Sequence, residues 1–229
     1  MTRLAGSLRL AAAILVAVIG IAGISLGITT WQERDGDAAE PALESAGSVT
    51  ATVARIIDGD TIAVTLREHD GEVKVRLLNI DTPEQGECLY AEATSHLAGL
   101  LSPGEDVTLV YDVERADRYG RDLAGVVKQN GTFINEAMVA DGFARAVEYQ
   151  PNTAFSQQMR AAEARAEAAV LGIHSVPASC LMPTRVSRTA LDRYEADRDP
   201  FYLDVMRESV ERAPNFTYRE QALRFINTL

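Results

Sequence analysis

Between Thr52 and Ile80 the chain alternates apolar and polar residues on either side of Asp70-Gly71, a pattern that demands an antiparallel hairpin. Ile62, Val64 and Leu66 alternate before the break, and Val73, Val75 and Leu77 after it. Asp-Gly is suited to a tight turn between two such strands. Folding the hairpin sets the strand begun by Asp60 beside the strand that carries Arg76 and ends at Asp81. The segments Asp58-Gly59-Asp60-Thr61 and Arg76-Leu77-Leu78-Asn79-Ile80-Asp81-Thr82-Pro83-Glu84 thereby bring acids and a guanidinium to one end of one sheet. Carboxylates cluster at a cost unless a cation holds them together, and all-oxygen ligands suit Ca²⁺. Arginine adds a rigid fork for a phosphate. The local chemistry is that of a metal-assisted phosphoester site. Taken singly, Asp-Gly is a turn, and Asp-Thr-Pro-Glu is a common way to leave a strand.

The remaining elements follow from periodicity and breakers. Thr52–Ile57, Thr61–Arg67 and Val73–Ile80 read as three antiparallel strands. Ala91–Leu101 has helical spacing and is stopped by Ser102-Pro103-Gly104; Val107, Leu109 and Tyr111 alternate as a fourth strand, and Leu123–Lys128 form a fifth. Phe133–Ala140 reads as a short helix stopped by Gly142. A longer helix follows Pro151-Asn152, with Phe155, Met159, Ala162, Ala166 and Val170 on one face. The expected fold is a β-barrel with helices (α+β), five-stranded and of the oligonucleotide-binding (OB) type, with about three helices. It is preceded by a transmembrane helix and followed by a helical tail.

The flanks have a different character. After Arg3 and Arg9, residues 10–31 are uncharged and strongly apolar, matching the roughly 20 residues that span a bilayer. Two arginines before the run against Arg34 beyond it place residues 1–9 in the cytoplasm. A single-pass signal anchor is expected, a cleaved signal peptide with secretion being the alternative. Residues 32–49 are rich in Gly, Ala, Pro, Glu, Asp and Ser without an apolar period, as in a flexible tether. A domain over 50–180 follows on the extracytoplasmic side, then a polar appendage over 181–229. In that appendage Phe201–Arg212 and Tyr218–Leu229 read as short amphipathic helices carrying no motif. A solvated appendage packed on the domain is the expectation.

A net charge of −11 over 229 residues argues against a DNA-packaging protein, since phosphate neutralisation supplies most non-specific affinity. It still permits a transient nucleic-acid complex held by local arginines and a divalent ion. His69, His96 and His174 are scattered and no CxxC exists, which argues against zinc. In an extracytoplasmic domain Cys88 and Cys180 could form a disulfide, fastening the loop after Glu84 to the segment after the last domain helix; two free thiols is the alternative.

Asp-Gly-Asp-Thr, Arg-Leu-Leu-x-Ile-Asp-Thr-Pro-Glu and Asp117-Arg118-Tyr119-Gly120-Arg121, in that order, resemble the staphylococcal nuclease (thermonuclease) family. The likeness runs over about residues 50–175 and extends to Asn135-Glu136-Ala137-Met138-Val139 and Tyr149-Gln150-Pro151-Asn152. It implies an OB-fold domain that hydrolyses DNA and RNA phosphodiesters with Ca²⁺, without strong sequence preference, leaving a 3′-phosphate. Position by position, it implies that Asp60, Asp81 and the carbonyl of Thr82 hold the cation. Arg76 and Arg121 would contact phosphate, and Glu84 would act as general base. Tyr119, Tyr149 and Asp117 would line the substrate path, although both tyrosines could equally be core or rim residues. The family tyrosine two positions before Tyr149 is Val147, the loop Gln85–Tyr90 is short and lacks the family's lysines, and His174 stands where a tryptophan is common. No protein partner is inferred and a monomer is expected. The competing reading is a non-catalytic OB module that binds single-stranded nucleic acid or an envelope protein.

Overall fold

The computed structural model describes residues 47–229; the expected membrane anchor and most of the tether lie outside the described residues. Seven strands and six α-helices follow one another: β1 Ser48–Ile56, β2 Thr61–Leu66, β3 Glu72–Leu77, β4 Ile80–Asp81, α1 Tyr90–Leu100, β5 Asp106–Ala116, β6 Asp122–Lys128, α2 Ile134–Ala140, β7 Arg145–Ala146, α3 Ser156–Ala168, α4 Arg185–Asp197, α5 Phe201–Arg212 and α6 Arg219–Ile226. Five strands close a barrel in the order β1-β2-β3-β6-β5, with β3 and β6 parallel and the other described pairs antiparallel. Closure leaves no open sheet edge, and the inward residues of each strand meet in one core. Val53, Ile62, Val64, Val75, Leu77, Leu109 and Val126 fill it, and α1, α2 and α3 add Leu97, Met138 and Met159. Among the described residues no helix is long and apolar enough to cross a membrane.

The alternating pattern located the barrel strands to within a few residues, but four details differ. The β2–β3 connection is wider than a two-residue turn, because Thr65 pairs with Glu72 and Gly71 alone takes a positive φ of 95°. Asp81 does not end the hairpin strand. The chain leaves β3 at Leu77, turns through Asn79 at φ 60°, and carries Asp81 on β4, which pairs with β7 as a separate two-stranded sheet. β5 continues past Tyr111 to Ala116, where Val113 and polar residues are exposed as a ribbon beyond the barrel wall. Val170 lies beyond the end of α3 with φ 54° and 60% exposure, so it is not on the buried helix face.

The segment after α3 folds too. α4, α5 and α6 enclose a second apolar core of Leu191, Tyr194, Met206, Val210, Tyr218 and Ile226. α4 is a helix the polar composition hid; a capping box between Thr184 and Ser187 opens it, and Ala190, Leu191 and Tyr194 bury one face. Cys88 and Cys180 form a disulfide with Cα atoms 5.7 Å apart, joining the loop before α1 to the 3₁₀ turn Ala178–Leu181.

Candidate active site

The end of the barrel where β2, β3, β4 and the β5–β6 ribbon converge is an open cleft of about 900 Å³. Asp60, Arg76, Asp81, Thr82, Glu84, Asp117, Tyr119, Arg121 and Tyr149 all line it. Local geometry explains the convergence. Pairing of Thr61 with Arg76 across the hairpin sets Asp60 next to the guanidinium. Gly59 then allows the Thr82 loop to close over it, since a Cβ there would lie 2.8 Å from Thr82 Oγ1. Asp60 is buried and heavily satisfied. Its Oδ1 accepts from the Thr61 hydroxyl at 3.0 Å, and its Oδ2 accepts from the Thr82 N–H at 3.2 Å and the Thr82 hydroxyl at 3.0 Å.

Arg76 bridges the two acids. Its Nη2 lies 3.1 Å from Asp60 Oδ2 and 3.4 Å from Asp81 Oδ1, while Nη1 donates to the Leu77 carbonyl at 2.7 Å. Buried Asn79 fixes the turn between them, donating from Nδ2 to the Asn152 carbonyl at 2.9 Å and to Ser156 Oγ at 3.2 Å. Asn135 secures the neighbouring segment by donating to the Leu78 carbonyl at 2.8 Å. These two amides were not singled out as site supports from sequence, because a lone Asn carries no periodicity.

The acids are electrostatically strained. Burial, then the charge of Asp60, pushes the Asp58 carboxyl above its ordinary value. Burial also raises Asp81, with Arg76 opposing and Asp60 reinforcing the rise. Glu84 is raised by reduced hydration and then by the charges of Asp60, Asp81, Glu87 and Asp58. A group so crowded with negative charge favours a bound cation. Among the described residues no three or more His, Cys, Asp or Glu side chains are clustered tightly enough to hold an ion by themselves. Asp60, Asp81 and Thr82 line the same cleft, and positive charge relieves the crowding of Asp58, Asp81 and Glu84. This chemistry fits a hard divalent ion that completes its coordination with water and substrate oxygens.

The β5–β6 ribbon also contributes to the lining. Asp117 Oδ2 accepts from Arg121 Nε at 2.7 Å, and its Oδ1 accepts from the N–H groups of Tyr119 and Arg121 at 2.8 and 3.0 Å. Among the described residues the two Nη nitrogens of Arg121 have no hydrogen-bond partner. Asp122, the other acid beside Arg121, instead accepts from the Tyr111 hydroxyl at 2.8 Å. Tyr119 and Tyr149 are 68% and 65% exposed, so neither belongs to the core. Arg118 lies over the Tyr119 ring at 4.8 Å. Cys88, Cys180 and His174 do not line this cleft; burial lowers the His174 pKa. Asn215, Phe216 and Arg219, from the tail, do line it. No motif marks them, and their approach depends on a fold of the tail that local periodicity does not report.

Comparison with known proteins supplies a family for the chain. Residues 74–175 match the family described as Staphylococcal nuclease homologue. The thermonuclease of Staphylococcus hyicus is 31% identical over 156 residues, spanning 66% of this chain and 90% of that protein. The thermonuclease of Staphylococcus intermedius is 33% identical over 162 residues, spanning 67% of this chain and 93% of its own. The SPbeta prophage-derived endonuclease YokF of Bacillus subtilis (strain 168) is 38% identical over 135 residues, covering 56% of this chain but 44% of that protein. With a closed five-stranded barrel, the motifs in order at its mouth and thermonucleases matched over nearly their whole length, the chain belongs to the staphylococcal nuclease family.

Proposed function

We propose that the chain is a nuclease, a phosphodiesterase hydrolysing DNA and RNA with little sequence specificity, dependent on Ca²⁺ and tethered to the outer face of a membrane. The observation that carries the reading is that Arg76 and Arg121 line the same cleft as Asp60, Asp81 and Glu84, in a chain whose relatives are named thermonucleases and endonucleases. Asp60, Asp81 and the Thr82 carbonyl would hold the cation. When bound, Ca²⁺ would polarise the phosphodiester and favour ionisation of an adjacent water. Arg76 and Arg121 stabilise the extra negative charge that develops as phosphorus becomes five-coordinate, which preorganised donors do without reorganising at that moment. Glu84, exposed at the mouth, accepts the proton of the attacking water. Asp117 holds Arg121 by its Nε, leaving the Nη edge for phosphate. Tyr119 and Tyr149 offer exposed rings on which unpaired bases stack. The apolar run at residues 10–31 supports the tether, and the Cys88–Cys180 disulfide agrees with an oxidising compartment.

The test is digestion of a single-stranded polynucleotide by the full chain in millimolar Ca²⁺, with and without chelator. Cleavage that stops on chelation, and that drops about 10²–10³-fold in kcat with Arg76→Ala, supports the reading. Intact strands bound without turnover would replace it with the non-catalytic module.

A further inference from the structure

We infer that Thr217, in the turn before α6, is a positioning residue for the cleft, so that the C-terminal helices are a working part of the site rather than an attachment to it. The inference rests on the nuclease reading above for what is positioned. Thr217 is buried, and three of its polar groups are tied to the site or its supporting sheet. Its hydroxyl donates to the Thr82 carbonyl at 3.2 Å, and its N–H donates to Glu87 Oε1 at 3.1 Å. Its own carbonyl accepts from Arg145 Nη1 at 2.6 Å.

Each tie reaches a site element by a different route. Thr82 is the proposed carbonyl ligand, and a carbonyl oxygen has lone pairs for both a hydrogen bond and a cation. The other oxygen of Glu87 accepts from the Glu84 N–H at 2.9 Å, so one carboxylate relays the position of the tail to the backbone of the proposed base. Arg145 is the β7 residue paired with Asp81, so the third tie grips the strand that supports the second acid ligand. Three links from one buried residue thus hold Asp81, Thr82 and Glu84 in one arrangement. The tail itself is anchored close by, where the Tyr218 hydroxyl donates to the Cys88 carbonyl at 2.7 Å. Partners that orient ligands in this way are commonly worth 10–100-fold in metal affinity or activity. A two-residue strand and a loop have too few bonds of their own to do it.

The experiment compares the full chain with Thr217→Val and Thr217→Ser. Ca²⁺ alone is titrated calorimetrically without nucleic acid, kcat and KM are measured on a single-stranded polynucleotide, and thermal midpoints are recorded. Thr217→Val is expected to weaken Ca²⁺ binding and lower kcat by about tenfold each, with KM changed less than about twofold. Thr217→Ser, which keeps the hydroxyl, is expected to return both to within about threefold of the unaltered chain. Equal Ca²⁺ affinity and kcat in Thr217→Val overturns the inference. So does a parallel loss of thermal midpoint in both variants without rescue by serine, which assigns Thr217 to folding alone. An unaltered chain that binds no Ca²⁺ overturns it as well. Failure of the nuclease reading shows separately, as an unaltered chain that binds Ca²⁺ but leaves the polynucleotide intact; the Ca²⁺ difference between it and Thr217→Val then still decides the positioning role.

Discussion

The barrel and the C-terminal helices each have an apolar core, yet they are held in different ways. The barrel is closed by strand pairing between residues far apart in sequence, such as Val75 with Asp122 and Ser48 with Val110. The helices of the tail each satisfy their own backbone, and join the rest through the Cys88–Cys180 bridge, Tyr218 and the three ties of Thr217. The acids and the other arginines that line the cleft come from the barrel strands, β4, β7 and the loops beside them, while the tail adds Asn215, Phe216 and Arg219 to the lining. A region without a motif can thus still tie down a loop of the cleft, because holding a loop requires hydrogen bonds at one place rather than reactive groups.

Experiments can probe that contrast directly. Replacing Cys88 and Cys180 together by Ala removes a closure with a sequence separation of 92. By the chain-entropy relation this lowers stability by about 4–5 kcal/mol, read by denaturant unfolding against the unaltered chain. Next in size are matched core truncations. Leu109 in the barrel and Met206 in the tail are both fully buried, and each change to Ala is expected to cost about 2–5 kcal/mol. With the ties described, both lower one common thermal transition. A separate early transition in Met206→Ala, with the barrel still melting at its original temperature, would show two independent bodies.

A smaller effect is expected at the mouth. Tyr149→Ala removes an exposed ring and raises KM for single strands on the order of tenfold, corresponding to about 1–2 kcal/mol of stacking, with little change in kcat. The smallest effect concerns Asp117. Burial alone would raise its pKa, but the N–H of Arg121, the guanidinium of Arg121 and the N–H of Tyr119 outweigh it and hold the carboxyl below its ordinary value of 3.8. A depressed folded pKa contributes stability that is present above the ordinary value and lost as pH falls through the folded one. Melting temperatures measured downward from pH 3.8 should therefore decline less steeply in Asp117→Asn than in the unaltered chain.

Much of the site was readable because its residues lie in short, ordered motifs at the ends of alternating strands. Asp60, Arg76 and Asp81 are placed by the hairpin and the turn after it, and Asp117 and Arg121 by one five-residue loop. The seat of Asp81 was not readable. β4 and β7 are two residues each, too short for any period, and they exist because buried Asn79 and the Ile80–Ala146 pairing fix them. The approach of Thr217 was equally hidden, since its partners Thr82, Glu87 and Arg145 are dispersed along the chain. α4 went unread because its apolar residues Ala190, Leu191 and Tyr194 are diluted by six charged neighbours along the helix.

Alternation and turn chemistry, which act between near neighbours, are enough to set which residues form the five strands and which acids and arginines reach one end of them. Long-range packing alone settled that Arg76 bridges Asp60 and Asp81, that both tyrosines stand exposed at the rim, and that the tail reaches the Thr82 carbonyl. The reason is physical: a periodic pattern records burial on one face of one element, whereas a hydrogen bond between distant residues depends on how several elements have already packed.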